Sequence, residues 1–155
     1  MEKNGIEYQF ISESTFKNLI DNSFFAEWEK VHGFYYGTSK DSINNIIKKD
    51  EMLLLEMDVK GALSIKKLYP SKTFSIFITP PSVDHLRKRL QNRGTDSKHR
   101  INVRLQRFKE EMKYVSKFDF TLLNDDLSKA KNQLLDIILK IKKGDNNGFK
   151  DNTIS

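Results

Sequence analysis

The sequence predicts an α/β fold in which short strands alternate with amphipathic helices. Residues 52–55 form a continuous apolar run, which is typical of a buried strand, and residues 73–79 and 119–123 are two further candidate strands. Each of these segments is followed by one whose apolar residues recur at helical spacing. Because strands that alternate with helices form parallel βα units, we expect these three strands to share one sheet.

The stretch 52–61, MLLLEMDVKG, is the centre of the predicted sheet. Four apolar residues lead directly into Glu56 and Asp58, and Gly61 begins the next helix. Alternate residues share a face of a strand, so the two acids are expected to project together. Ligands of open α/β sheets bind at the carboxyl ends of the strands. A ligand-binding role and a merely solvated strand end both fit this pattern, and a helix could also bury the apolar run.

Length and composition indicate one domain with a net positive charge. The chain has 155 residues, 37% of them hydrophobic and 31% charged, with a net charge of +6. A positive balance suits phosphate-bearing partners, either nucleotides or nucleic acid, although surplus lysine often only solvates helix faces. The lack of cysteine excludes disulfides and cysteine-ligated metals. We find no signal-peptide pattern and no membrane-length apolar run, so the cytoplasm is the expected compartment.

The first part of the chain predicts a smaller, more antiparallel lobe. Residues 8–12 are expected to form a strand, and Ser12 to cap the helix that follows. Residues 24–31 alternate and pair with 34–36 in a β-hairpin interrupted at His32-Gly33. Strict alternation places Phe24, Ala26 and Trp28 on one side and Phe25, Glu27, Glu29 and Val31 on the other.

Capping residues locate the remaining helices. Ser39 or Asp41 begins a helix, the helix at Gly61 ends before Pro70, and Ser82 begins another that closes near Gly94. Two longer helices are expected at about residues 96–117 and 127–143. From residue 144 onward the Asn-, Asp- and Gly-rich composition predicts a flexible tail.

Arginines are concentrated after the second predicted strand. Arg89 and Arg93 lie four residues apart, on one face of a helix, and Arg104 follows on the next. Guanidinium groups match phosphate because they form charge-assisted, often bidentate hydrogen bonds. The same residues are also compatible with a solvated, helix-stabilising charge run.

Five motifs occur together in a fixed order: YYGTS, LEMDVKGA, FITPPS, RLQNRGTD with a later RL, and LNDDL. In this order and at these separations they closely resemble the guanylate kinase family, from about residue 5 to residue 143. The resemblance implies a P-loop NTPase-like three-layer core with parallel strands and helices. It also implies a small mixed-β GMP-binding lobe at about residues 5–39, with core and lid at 40–143.

The activity implied by the resemblance is phosphoryl transfer from ATP to GMP, giving ADP and GDP in purine nucleotide metabolism, with Mg²⁺ accompanying ATP. An alternative is a non-catalytic guanylate-kinase-like module that binds a phosphorylated protein partner. No nucleic-acid motif supports an RNA-binding role, and no membrane partner is expected.

The resemblance also assigns roles to individual residues. The GMP contacts it implies are Tyr8, Glu27, Tyr36, Thr38 and Asp58, with Glu27 reading the guanine base. Arg89, Arg93 and Arg104 match phosphate-binding, catalytic arginines. Glu56 matches an acid near metal and phosphates, and Asn124 a residue near the adenine of ATP. No residue is assigned as a direct metal ligand.

One family element has no counterpart in the sequence, namely the glycine-rich P-loop with its strand and helix. None of the seven glycines is followed by lysine, and residues 1–8 match the segment that follows the P-loop region in the family. We therefore expect an N-terminally truncated guanylate kinase that has little activity by itself. Without the family's neighbouring strands, residues 52–57 would also present an unpaired edge, which predicts marginal stability or self-association.

Overall fold

The computed structural model describes residues 9–31 and 33–144 and divides into two compact units, Met1–Thr73 and Phe74–Ser155. Tyr8, His32 and nearly all of the predicted tail lie outside the described residues. The first unit contains helix α1, a two-stranded sheet, and helices α2 and α3. Their bounds are Glu13–Asp21 for α1, Phe25–Val31 for β1, Phe34–Ser39 for β2, Lys40–Lys48 for α2 and Val59–Leu68 for α3.

The predicted hairpin is confirmed, since β1 and β2 pair antiparallel from Phe25↔Ser39 to Val31↔Phe34. Gly33, in the turn, has a φ of 93°, a left-handed conformation that favours glycine. Phe16 of α1 is buried against the hairpin, with its ring stacked on those of Phe25 and Tyr35 at centroid distances of 4.3 and 5.3 Å.

A β-bulge makes the predicted strict alternation wrong. The register shifts between Phe25 and Glu27, so an extra residue enters β1. Ala26 consequently packs with Ile43 and Ile65, away from Trp28, whose ring lies beside Tyr35. Because of the bulge, Ala26 and Glu27 do not point to opposite faces of β1, and both line a cleft beside α3.

Polar side chains cap α1 and α2, as predicted. Ser12 accepts a hydrogen bond from the Thr15 N–H, and Ser39 accepts one from the Ser42 N–H. Of the two candidates for the start of α2, Ser39 is thus the cap. Two orphan backbone donors are satisfied locally, which fixes where each helix begins.

Two strands predicted in the first unit are absent from the part of the chain that the structure describes. Residues 9–12 form no strand, and residues 52–57 belong to none either. Met52, Leu53 and Leu54 are 46%, 41% and 71% exposed, so the prediction of a buried central strand is wrong. A strand needs partners for its backbone N–H and C=O groups, and apolar composition cannot supply them.

The second unit is built on one parallel strand pair. Its elements are β3 Ile76–Thr79, α4 Val83–Arg93, α5 Lys98–Met112, a 3₁₀ turn Val115–Lys117, β4 Phe120–Leu123 and α6 Leu127–Lys142. β3 and β4 pair in parallel from Ile76↔Phe120 to Thr79↔Leu123, with α4 and α5 in the crossover. β3 is shorter than the predicted strand, since it begins three residues later.

Two apolar clusters hold this unit together. Phe120 and Leu122 of the sheet pack with Ile137 of α6, and Leu122 is 2% exposed. Leu90 of α4 packs separately with Ile101 and Leu105 of α5. α6 therefore covers the sheet, while α4 and α5 form a helical hairpin with its own small core.

Both ends of α4 lie where the sequence predicted them. Ser82 caps α4, and Gly94 closes it in a left-handed conformation with a φ of 68°. α5 ends at Met112, before the predicted limit, because the following residues form the 3₁₀ turn.

No helix in residues 9–31 or 33–144 has the length and apolar character that spanning a membrane requires.

Candidate functional site

A cleft of about 390 Å³ lies between β1 and the start of α3 in the first unit. Its walls carry three carboxylates, from Glu27, Glu29 and Asp58, and one ammonium group, from Lys60. The lining residues are Phe25, Ala26, Glu27, Trp28, Glu29, Asp58, Lys60, Gly61 and Ser64. Carboxylates accept hydrogen bonds, so this cleft suits a ligand that presents several donors.

The Glu27 side chain is held in a defined position across the hairpin. The Thr38 hydroxyl donates a hydrogen bond of 2.7 Å to Glu27 Oε1, from the strand position directly opposite. Both residues are partly buried. Because the bond is made to one carboxylate oxygen, it orients the whole group and limits its rotation.

Gly61 allows α3 to approach this carboxylate closely. A Cβ atom at Gly61 would lie 3.2 Å from Glu27 Oε2 and 3.3 Å from Asp58 Oδ1. Two predicted site residues thus meet at one glycine on the helix. From the sequence, Gly61 was expected only to begin a helix, and no motif or spacing pointed to Glu29 or Ser64.

Asp58 serves as the N-cap of α3, since its Oδ1 accepts a 2.8 Å hydrogen bond from the Gly61 N–H. This explains why the acid, the glycine and the helix occur in that order. Glu56, predicted to project with Asp58 from a strand end, is exposed and is not among the residues lining the cleft. The structure therefore separates the two acids, because the strand that would align them is not formed.

Tyr36 extends the polar surface of the hairpin. It pairs across the strands with Glu29, two positions along from the Thr38 and Glu27 pair, so all four side chains share a face. Tyr36 is partly buried. The structure thus groups Glu27, Tyr36 and Thr38, three of the predicted GMP contacts, on one side of the hairpin.

The three predicted phosphate arginines all lie on the α4–α5 hairpin of the second unit. Arg89 donates 2.6 Å hydrogen bonds to two backbone carbonyls, those of Asn124 and Asp125. Arg104 forms a 3.2 Å ion pair with Asp96, whose side chain is 7% exposed. Arg93 is exposed in the last turn of α4.

Asn124, the predicted adenine neighbour, follows β4. Its N–H donates a 2.7 Å hydrogen bond to the carbonyl of Thr79, at the end of β3. It therefore lies at the carboxyl edge of the parallel pair, where ligands of α/β sheets bind. Asp126 then caps α6 by accepting a hydrogen bond from the Lys129 N–H.

Within the described ranges, no group of three or more acidic or histidine side chains could hold a metal ion by itself. Mg²⁺ in phosphoryl-transfer sites is commonly held by one or two carboxylates together with substrate phosphates. An exposed carboxylate such as that of Glu56 fits this arrangement, in which most of the ligands arrive with the nucleotide.

Fold and cleft define a mixed α/β protein with a parallel strand pair in one unit and an acid-lined cleft in the other. The guanylate kinase family model matches residues 1–141. A guanylate kinase of Wolinella succinogenes is 41% identical over 88% of this chain, and one of Caldanaerobacter subterraneus is 40% identical over 91%. The chain belongs to the guanylate kinase family.

A solved structure agrees with this assignment. The crystal structure of guanylate kinase from Anaplasma phagocytophilum superposes with a TM-score of 0.71 at 26% identity, covering 91% of this chain and 68% of that one. The expected P-loop NTPase-like fold class is thereby confirmed. The chain spans 63% of the Wolinella relative and 68% of the Caldanaerobacter relative.

Proposed function

We propose that this chain carries the GMP-binding and phosphate-binding residues of a guanylate kinase. The reaction transfers the γ-phosphoryl group of ATP to GMP and yields ADP and GDP, within purine nucleotide metabolism in the cytoplasm. One observation supports this most strongly: Glu27 is held by Thr38 at 2.7 Å in a cleft shared with Asp58.

Guanine is the base that this arrangement suits. Its N1–H and N2 amine form a row of two donors, which a fixed carboxylate accepts. Adenine instead has an acceptor at N1 and no amine at C2. We therefore assign base recognition to Glu27, with Asp58 on the guanine side and Thr38 orienting the carboxylate. Tyr36 and Tyr8 are proposed as contacts to the GMP phosphate.

In phosphoryl transfer the protein contributes mainly positive charge around the transferred group, and it has little covalent chemistry to perform. An oxygen of the GMP phosphate attacks the γ-phosphorus, and the bond from that phosphorus to the β-phosphate oxygen breaks as ADP leaves. Negative charge spreads over the three equatorial oxygens of the transferred group. We propose that Arg93 and Arg104 stabilise this charge, with Arg89 beside them on the same helical hairpin, and that Asn124 lies near the adenine.

Mg²⁺ supplied with ATP would neutralise charge on the β- and γ-phosphates. Glu56 is the carboxylate we propose for its vicinity. Since the 155 residues contain no Gly-Lys pair, they include no P-loop lysine to hold those phosphates. We expect the 155-residue chain alone to turn over far below the roughly 1 s⁻¹ that marks the slow end of kinases.

The alternative, a module that binds a phosphorylated protein, is less well supported. Such a module has no need for an acid oriented to accept hydrogen bonds from guanine. The hydrogen bond between Thr38 and Glu27 therefore favours a nucleotide-binding role.

Titration calorimetry of the Glu27→Gln variant tests the assignment. Its amide NH₂ would face the guanine donors, so we expect GMP affinity to fall by about a hundredfold, since hydrogen bonds to charged groups contribute about 1.5–3 kcal/mol. Inosine monophosphate lacks the N2 amine and should lose less. Glu51→Gln, at an exposed acid outside the cleft, is the matched control. Equal GMP affinity in both variants would contradict the proposal.

We also propose that residues 52–57 mediate self-association of this chain. Three consecutive apolar side chains, Met52, Leu53 and Leu54, are exposed on backbone that belongs to no strand. Such a segment can gain both backbone hydrogen bonds and apolar burial by pairing with a second copy.

A further inference from the structure

The Arg89 guanidinium bonds two backbone carbonyls of the second unit. Its Nη1 donates to the carbonyl of Asn124 and its Nη2 to that of Asp125, each at 2.6 Å. The two carbonyls belong to consecutive residues, 35 and 36 positions along the chain from the arginine. One guanidinium therefore joins α4 to the segment that leaves β4.

This segment is fixed at three points. The Asn124 N–H is bonded to Thr79 O at the end of β3, Arg89 holds the next two carbonyls, and Asp126 caps α6. Its backbone would otherwise be an exposed connection, of the kind that fluctuates most in folded proteins. The contacts tie it to both strands and to two helices.

The chemistry of the contact requires arginine in particular. A guanidinium is planar and presents donors in a rigid fork, so it can bond two adjacent acceptors at once. A lysine ammonium carries the same charge but concentrates it at one point on a flexible stem. Nε–H and two further N–H groups of Arg89 are not engaged by these two bonds.

We propose that Arg89 is a positioning residue that fixes the 124–126 segment to α4. This inference rests on the proposed function, in which Asn124 lies near the adenine of ATP and α4 carries Arg93. Holding the segment to α4 places the base-binding backbone and the phosphate-binding helix in one fixed relationship. The remaining donors of Arg89 stay available to a phosphate oxygen while the fork holds the loop.

Amide hydrogen exchange measured by NMR tests the positioning role on the full chain. The readout is the Asn124 N–H, whose bond to Thr79 O depends on the segment staying in place. We expect Arg89→Met and Arg89→Lys each to accelerate its exchange about tenfold, since the charge alone does not replace the fork. Lys88→Met, at an exposed neighbouring position of α4, should leave the rate unchanged.

An exchange rate within twofold of wild type in Arg89→Lys would show that charge suffices and would overturn the proposal, as would an unchanged rate in Arg89→Met. If Arg89→Met fails to fold, as judged by circular dichroism, Arg89→Lys still decides the question.

Titration with ADP is a separate experiment, in which both substitutions should weaken binding about tenfold. Absence of ADP binding in the wild type would count against the proposed function, while the exchange result would still decide the role of Arg89.

Discussion

The Thr38 hydroxyl donates a hydrogen bond to Glu27 Oε1 across 2.7 Å, joining the two strands of the hairpin through their side chains. The pair occupies directly opposite strand positions, just beyond the β-bulge. This places an oriented carboxylate at the wall of a cleft. The binding function proposed for the first unit depends on this contact.

Removal of the Thr38 hydroxyl should weaken GMP binding. Thr38→Val keeps the shape of the side chain but leaves Glu27 free to rotate, so we expect affinity to fall about tenfold. Thr38→Ser retains the hydroxyl and should stay near wild type. Calorimetric titration with GMP measures both, and equal affinity of the two variants would argue against the orienting role.

A methyl group at Gly61 should weaken binding more than it changes stability. Alanine is favoured over glycine inside a helix by about 1 kcal/mol, but the methyl group crowds the Asp58 carboxylate that caps α3, so the thermal midpoint should change little. The new Cβ would lie 3.2 Å from Glu27 Oε2 and 3.3 Å from Asp58 Oδ1, so both carboxylates must shift. We therefore expect Gly61→Ala to bind GMP about fivefold more weakly. An unchanged affinity would show that the cleft does not hold the base.

Different substitutions at Asp58 should separate its role as the cap of α3 from its proposed role in GMP binding. Asparagine is as good an N-cap as aspartate, so Asp58→Asn should keep stability and lose GMP affinity. Asp58→Ala should lose both, with a stability cost of about 1 kcal/mol from the cap. Chemical denaturation and calorimetry measure the two quantities. Full affinity in Asp58→Asn would mean that the acid only caps α3.

Self-association should depend on the exposed apolar segment. Leu54 is 71% exposed, and a charge there would oppose burial against a second copy. We expect Leu54→Glu to abolish the concentration dependence of the sedimentation coefficient. Leu139→Glu, at an exposed leucine of α6, is the control and should leave it unchanged. A wild-type chain that stays monomeric at all concentrations would rule out the association.

Local signals in the sequence predicted much of this fold. Side-chain caps at Ser12, Ser39 and Ser82 and the glycine ending at Gly94 act within a few residues, so the sequence alone reveals them. The hairpin is equally local. For the same reason Gly61 could be placed at the start of a helix, whereas Asp58, which caps that helix, was expected at the end of a strand.

What the sequence could not predict depends on distant partners. The strand at residues 52–57 fails because apolar side chains do not by themselves provide a hydrogen-bonding neighbour. The bulge between Phe25 and Glu27 has no glycine or proline to mark it. The two hydrogen bonds from Arg89 to Asn124 and Asp125 link residues 35 and 36 positions apart, and helical spacing does not predict them.

Calorimetric titration of the wild-type chain with GMP and, in parallel, with AMP tests the central claim most directly. An acid-lined cleft with Glu27 fixed by Thr38 should bind GMP and discriminate against AMP by at least about a hundredfold, since an unmatched polar edge is strongly rejected. Equal affinity for the two nucleotides, or no binding of either, would contradict the account.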